Sequence, residues 1–110
     1  YMYAAGKGGI VNLTRAMATS LGKYGITTNC IVPGFIPTEI TDPDSERSRQ
    51  RGRFIPIGRT GVPREMGPLA VFLASSASDY MNGEFLAIDG GGLAGGIAPT
   101  GHAPEIPLNI

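Results

Sequence analysis

Between Ala4 and Tyr24 the apolar side chains Ile10, Leu13, Met17, Leu21 and Tyr24 recur at intervals of three or four, the spacing that lines up one face of a helix. A helix is predicted over this stretch. Gly25 stands where a left-handed residue would end it, and Lys23 lies in the last turn, where a cation suits the negative end of the helix dipole. Gly6, Gly8 and Gly9 weaken its start, each by about 1 kcal/mol relative to Ala, so something other than propensity must hold that end.

The pattern then changes. Ile26 to Val32 is a short β-rich run without polar alternation, bounded by Pro33 and Gly34, and reads as a strand buried on both faces, as in parallel sheets. Pro37 to Arg53 is polar and carries Arg47, Arg49, Arg51 and Arg53 interleaved with Glu46, Ser48 and Gln50. It reads as a lid or a short exposed helix. A second helix is signalled by Pro63, Arg64 and Glu65 in a first turn, followed by Met66, Leu69, Ala70 and Leu73. An interior proline costs about 3 kcal/mol, so the regular part is expected to begin near Gly67 with Pro68 at its first position. Asp79 to Gly83 is turn chemistry, and Glu84 to Ile88 is a second short strand. From Gly90 onward glycine and proline dominate, and an irregular tail is expected.

Helix, strand, helix, strand is the order of a parallel α/β sheet. Two parallel strands cannot bury both faces of such a sheet, so neighbouring elements are expected upstream or in another chain.

Composition narrows the class. At 110 residues the chain has room for one domain at most, and 9 basic against 9 acidic residues give no net charge. That balance argues against a surface built for nucleic acid or anionic lipid. With 42% hydrophobic residues the chain is too apolar for disorder, and its longest apolar runs are too short to cross a bilayer. A lone Cys30 cannot form an internal disulfide, which makes the cytosol the default compartment; within its apolar strand it reads as a buried small hydrophobe. The sole histidine, His102, cannot make a metal site by itself, and no other cluster has ligand spacing, so no metal is expected. Asp42, Asp44 and Glu46 flank the arginines, which favours a self-neutralising lid over an RNA or acidic-substrate site.

Chemistry enters with Tyr3 and Lys7. Four residues apart, a phenol and an amine emerge from one helix face. A free phenol titrates near 10, so proton exchange near neutral pH requires about 4 kcal/mol of help. One cation roughly 4 Å away, at an effective dielectric near 20, supplies about that much. Neither Tyr1 nor Tyr24 has a lysine four residues downstream. After the strand, Pro33-Gly34-Phe35-Ile36-Pro37-Thr38 forms a turn of the kind that lies beside ligands at the carboxyl ends of strands in open α/β sheets.

From Tyr1 to about Leu93 the chain closely resembles the C-terminal part of a short-chain dehydrogenase/reductase. The resemblance rests on the Tyr3/Lys7 pair, Leu13-Thr14-Arg15-Ala16, Gly25 to Asn29, Pro33-Gly34 with Thr38, Gly58-Arg59, Pro63, Phe72-Leu73-Ala74-Ser75, Asn82-Gly83 and Asp89-Gly90-Gly91. It implies part of a Rossmann-like doubly wound parallel sheet, incomplete in this chain, over residues 1–93, with a substrate lid at 39–55 and a Gly/Pro-rich tail at 94–110. Tyr3 resembles the family's general acid/base. Lys7 resembles the residue that activates it and bonds the nicotinamide ribose, and Pro33, Gly34, Ile36 and Thr38 resemble the loop that fixes the nicotinamide ring. The implied cofactor is NAD or NADP and the implied substrate a small alcohol or ketone, with no nucleic-acid or membrane partner. The second helix and last strand are similar to elements through which relatives form tetramers, with Asp89-Gly90-Gly91 near that interface.

The resemblance also implies parts that these residues do not include: a Gly-rich phosphate-binding turn, a catalytic serine, and an asparagine of the proton relay. Gly6 stands where the family often has serine. The expected function is oxidation or reduction of a sugar acid or polyol, because Lys7-Gly8-Gly9 and Met66-Gly67-Pro68 with Ala70 to Ser75 are most similar to gluconate and polyol dehydrogenases. The alternatives are a 3-oxoacyl-carrier-protein reductase and a non-catalytic fragment that docks to full-length relatives.

Overall fold

The computed structural model describes residues 1–38 and 45–95. Its elements are α1 (Met2–Leu21), β1 (Cys30–Pro33), α2 (Glu46–Gly52), α3 (Gly67–Leu73) and β2 (Phe85–Ile88). They fall into two compact units, the first of Tyr1–Val32 with Gly67–Ala87, the second of Pro33–Met66 with the chain from Ile88 onward.

The first unit is organised by α1. Its last helical turn passes into a 3-10 turn, Gly22–Tyr24, which Gly25 ends in the left-handed region at φ 73°, the conformation that a side chain disfavours. The predicted stop is therefore where the structure puts it. Ala18 is 7% exposed and Thr14, whose hydroxyl donates to the Ile10 carbonyl at 2.9 Å, is 6% exposed. The predicted apolar stripe is not a covered face: Leu13 is 56% exposed, and Ile10 and Met17 are also open. The described sheet has two strands, β1 beside β2, and that is too little apolar surface to cover a helix of this length.

The strand pair is parallel. The Cys30 amide donates to the Glu84 carbonyl at 2.8 Å and the Gly34 amide to the Ile88 carbonyl at 3.0 Å, so both partners advance together along the chain. β1 begins at Cys30 rather than Ile26, because the preceding residues spend their polar groups elsewhere. The Thr28 amide donates to Asn82 Oδ1 at 2.8 Å, and the Gly83 amide donates to the Thr28 carbonyl at 2.7 Å. Asn29 Nδ2 donates to the Met81 carbonyl at 2.9 Å while Asn29 Oδ1 accepts from the Glu84 amide at 3.1 Å. Asn82 Nδ2 also reaches the Ala18 carbonyl at 2.9 Å, tying α1 to this turn. The strand is half-buried rather than buried on both faces, and so is Cys30; among the described residues it has one neighbouring strand.

A 3-10 turn, Pro63–Met66, precedes α3. Regular helix starts at Gly67, one residue before Pro68, so the missing proline donor falls among amides that have no intrahelical partner anyway. Serines close the other end: the Ser78 hydroxyl, in a residue 2% exposed, donates to the Leu73 carbonyl at 3.0 Å.

In the second unit, α2 realises the predicted short helix. Ser45 caps it by accepting from the Ser48 amide at 3.2 Å, and Glu46 pairs with Arg49 at 3.5 Å and accepts from Gln50 at 3.1 Å. The self-neutralising reading thus holds for Glu46; Asp42 and Asp44, like most of the tail, lie outside the described residues. Ile55, 4% exposed, is a buried apolar residue among the described residues of this unit.

Candidate active site

Because α1 begins at Met2, Tyr3 and Lys7 stand in its first two turns. The structure brings them together as their spacing predicts, with the Lys7 ammonium 5.5 Å from the centroid of the Tyr3 ring, within range of cation–π attraction. Both side chains stand in solvent, Tyr3 at 78% exposure. A ring under an ammonium does not single Tyr3 out, since Lys23 lies 5.0 Å from the Tyr24 ring. What distinguishes Tyr3 is that its lysine is one turn further along the same helix.

Pro33, Gly34, Ile36 and Thr38 belong to the second unit. They form one loop running out of β1, with Pro33, Gly34 and Thr38 exposed and Ile36 half-buried. The loop is held by backbone bonds. Beyond the Gly34 bond to Ile88, the Phe35 carbonyl accepts from the Gly61 amide at 2.9 Å, and the Arg51 guanidinium of α2 lies 5.1 Å from the Phe35 ring. Below the loop is a cavity of about 140 Å³ whose lining includes Ile36, Ile57, Arg59, Glu65 and Asp89.

Two groups next to this loop escape a reading by spacing. Arg59 and Glu65 form a two-pronged ion pair, with Nη1 to Oε2 at 3.1 Å and Nη2 to Oε1 at 2.5 Å. The hydrogen bond from Arg59, joined by one from the Val62 amide, holds the Glu65 carboxyl down at about 2. Glu65 was expected only as an acid in a helical first turn; Arg59 reaches it across residues 60–62, which are neither helix nor strand, so no periodic spacing announces the pair. Asp89 likewise serves its own turn, accepting from the Leu93 and Gly91 amides at 2.8 Å each, and these bonds hold its carboxyl below the usual range. The signal available in the sequence was its position before Gly90-Gly91, since short acids favour such turns. Among the described residues no three His, Cys, Asp or Glu side chains gather where they could hold a metal ion, and no helix is long and apolar enough to cross a membrane.

A family model described as enoyl-(acyl carrier protein) reductase matches residues 1–92. The chain belongs to the short-chain dehydrogenase/reductase family. It is 48% identical to the 2-dehydro-3-deoxy-D-gluconate 5-dehydrogenase of Escherichia coli strain K12, over 84% of this chain and 38% of that enzyme. It is 40% identical to the 3-oxoacyl-acyl-carrier-protein reductase of Chlamydia trachomatis, over 81% of this chain and 36% of the relative. A protein of Agrobacterium tumefaciens described as a 2-deoxy-D-gluconate 3-dehydrogenase, solved with bound NADP, is 40% identical and superimposes with a TM-score of 0.76 over 84% of this chain and 39% of that one. The chain thus spans between a third and two fifths of the length of these relatives, and its α/β order and parallel strand pair are part of the Rossmann-like fold of this family of dehydrogenases and reductases.

Proposed function

We propose that the protein carrying this chain is an NAD(P)-dependent oxidoreductase that interconverts an alcohol and a ketone on a sugar acid or polyol. The observation that carries the reading is the Tyr3/Lys7 pair, a phenol and an ammonium one turn apart and both in solvent at the start of α1.

Each unit carries groups of the kind a dinucleotide would take. Lys7 would offer a donor to the ribose, Pro33, Gly34 and Ile36 would hold the nicotinamide ring through their backbone, and the exposed Thr38 would offer a hydroxyl. When bound, the nicotinamide supplies the hydride acceptor or donor. In reduction the Tyr3 hydroxyl gives its proton to the substrate carbonyl oxygen and is left as phenolate; in oxidation the phenolate takes the proton of the alcohol. Lys7 keeps a positive charge beside that phenolate. Half-buried β2 and the largely exposed α3, with Val71 70% exposed, leave apolar surface for a tetramer.

The identity to a gluconate-type dehydrogenase favours the sugar-acid or polyol class, while the 40% identity to the chlamydial protein favours a second reading, reduction of a 3-oxoacyl thioester. Assay of the protein expressed from its own gene against both classes decides between them. Dinucleotide-dependent turnover of gluconate-type acids or polyols supports the first; turnover of acetoacetyl thioesters alone would replace it with the second.

A further inference from the structure

Resting on the dinucleotide reading above, we infer that the Arg59–Glu65 pair is a positioning clip for the loop from Pro33 to Thr38, and so acts on the nicotinamide end of the cofactor without touching it.

The clip closes a short segment on itself. Glu65 receives both prongs of Arg59 and the Val62 amide, the last at 2.8 Å, and Arg59 Nη1 also donates to the Thr60 carbonyl at 3.1 Å. Four residues of a non-helical turn are thereby fixed by one carboxylate. Inside that turn lies Gly61, whose amide donates to the Phe35 carbonyl at 2.9 Å. A Cβ on Gly61 would stand 2.5 Å from Ile36 Cδ1, so the Ile36 side chain occupies the space that a side chain at Gly61 would need. Whatever holds the turn therefore holds Phe35 and Ile36.

Packing alone does not place Phe35 and Ile36. The loop lies over a cavity of about 140 Å³, and a segment without dense packing beneath it is placed by its directional bonds. One such bond is Gly34 to Ile88, on the strand side; the other is Phe35 to Gly61, on the clip side. An exposed ion pair contributes little to global stability, but a bidentate arginine fixes geometry as well as charge, and small displacements of positioning groups are costly to function.

The test compares binding of the reduced dinucleotide with binding of its ADP-ribose counterpart, which lacks the nicotinamide, by the protein expressed from its own gene and by Glu65→Ala and Glu65→Gln variants. The clip predicts that Glu65→Ala weakens the reduced dinucleotide on the order of tenfold, leaves ADP-ribose within about twofold, and lowers kcat. Glu65→Gln, which keeps an acceptor for the Val62 amide and for Arg59, recovers part of the loss. Equal weakening of both ligands, no change in either, or unfolding of both variants overturns the proposal, because each describes a residue that does not act through the nicotinamide loop. If the unmodified protein itself binds the two ligands equally, the dinucleotide reading fails with it. If the unmodified protein discriminates and Glu65→Ala discriminates equally well, only the clip fails.

Discussion

The backbone of Gly34 lies so close to Asp89 that a methyl group on Gly34 would stand 2.7 Å from the Asp89 Cα and 2.8 Å from its Cβ. Glycine is required there by the approach of two chain segments, not by an unusual backbone angle, since the positive-φ glycines are elsewhere. The Asp89 backbone cannot yield easily, because its side chain is tied to the amides of the turn that follows. The β1 turn and the Asp89 turn therefore fit together only as drawn.

Gly34→Ala is accordingly expected to destabilise the protein by about 1–3 kcal/mol, the usual cost of forcing an extra carbon into a filled space. The midpoint of urea unfolding measures it. An alanine variant as stable as the parent would mean that the two segments can separate freely.

Acid should release the Glu65 clip only at low pH. Its carboxyl lies at about 2 in the folded chain against an ordinary 4.5, first because Arg59 donates to it and then because Val62 does. A lowered carboxyl stabilises the fold fully above the unfolded value, so the contribution is complete above about 4.5 and is lost as pH falls toward 2. NMR titration of the Glu65 side-chain carboxyl reads the midpoint directly. A midpoint near 4.5 would show that the pair does not form in solution.

Residues 1–110 expressed alone should unfold over a broad range and bind a hydrophobic dye before heating. The reason is the open stripe of α1, including Leu13 and Met17, together with Val71 on α3, apolar area that a cooperative domain would have buried. A sharp two-state melt without dye binding would contradict this.

The elements that could be read from the chain are those whose determinants are local. The three-and-four spacing of α1, the left-handed stop at Gly25 and the shared helix face of Tyr3 and Lys7 all depend on neighbours within a turn or so, and each is found where it is expected. Whether the stripe of α1 is covered depends on distant surface, and in the described residues Ile10, Leu13 and Met17 stay open. The start of β1 was missed for the same reason. The amide of Thr28 and the side chain of Asn29 are taken by groups more than fifty residues away, at Met81, Asn82 and Glu84, and no periodicity announces such partners. Arg59 and Glu65 meet across a turn whose course depends on Phe35 and Gly61, so neither residue carried a signal of the other.

The proposed role of Tyr3 is proton exchange with the substrate while other residues hold the cofactor. It is tested most directly by replacing Tyr3 with Phe in the protein expressed from its own gene and measuring turnover beside dinucleotide binding. Loss of the acid/base should lower turnover by about 100-fold or more and leave dinucleotide affinity within a few-fold of the parent. A Tyr3→Phe protein that keeps most of its activity would contradict the account.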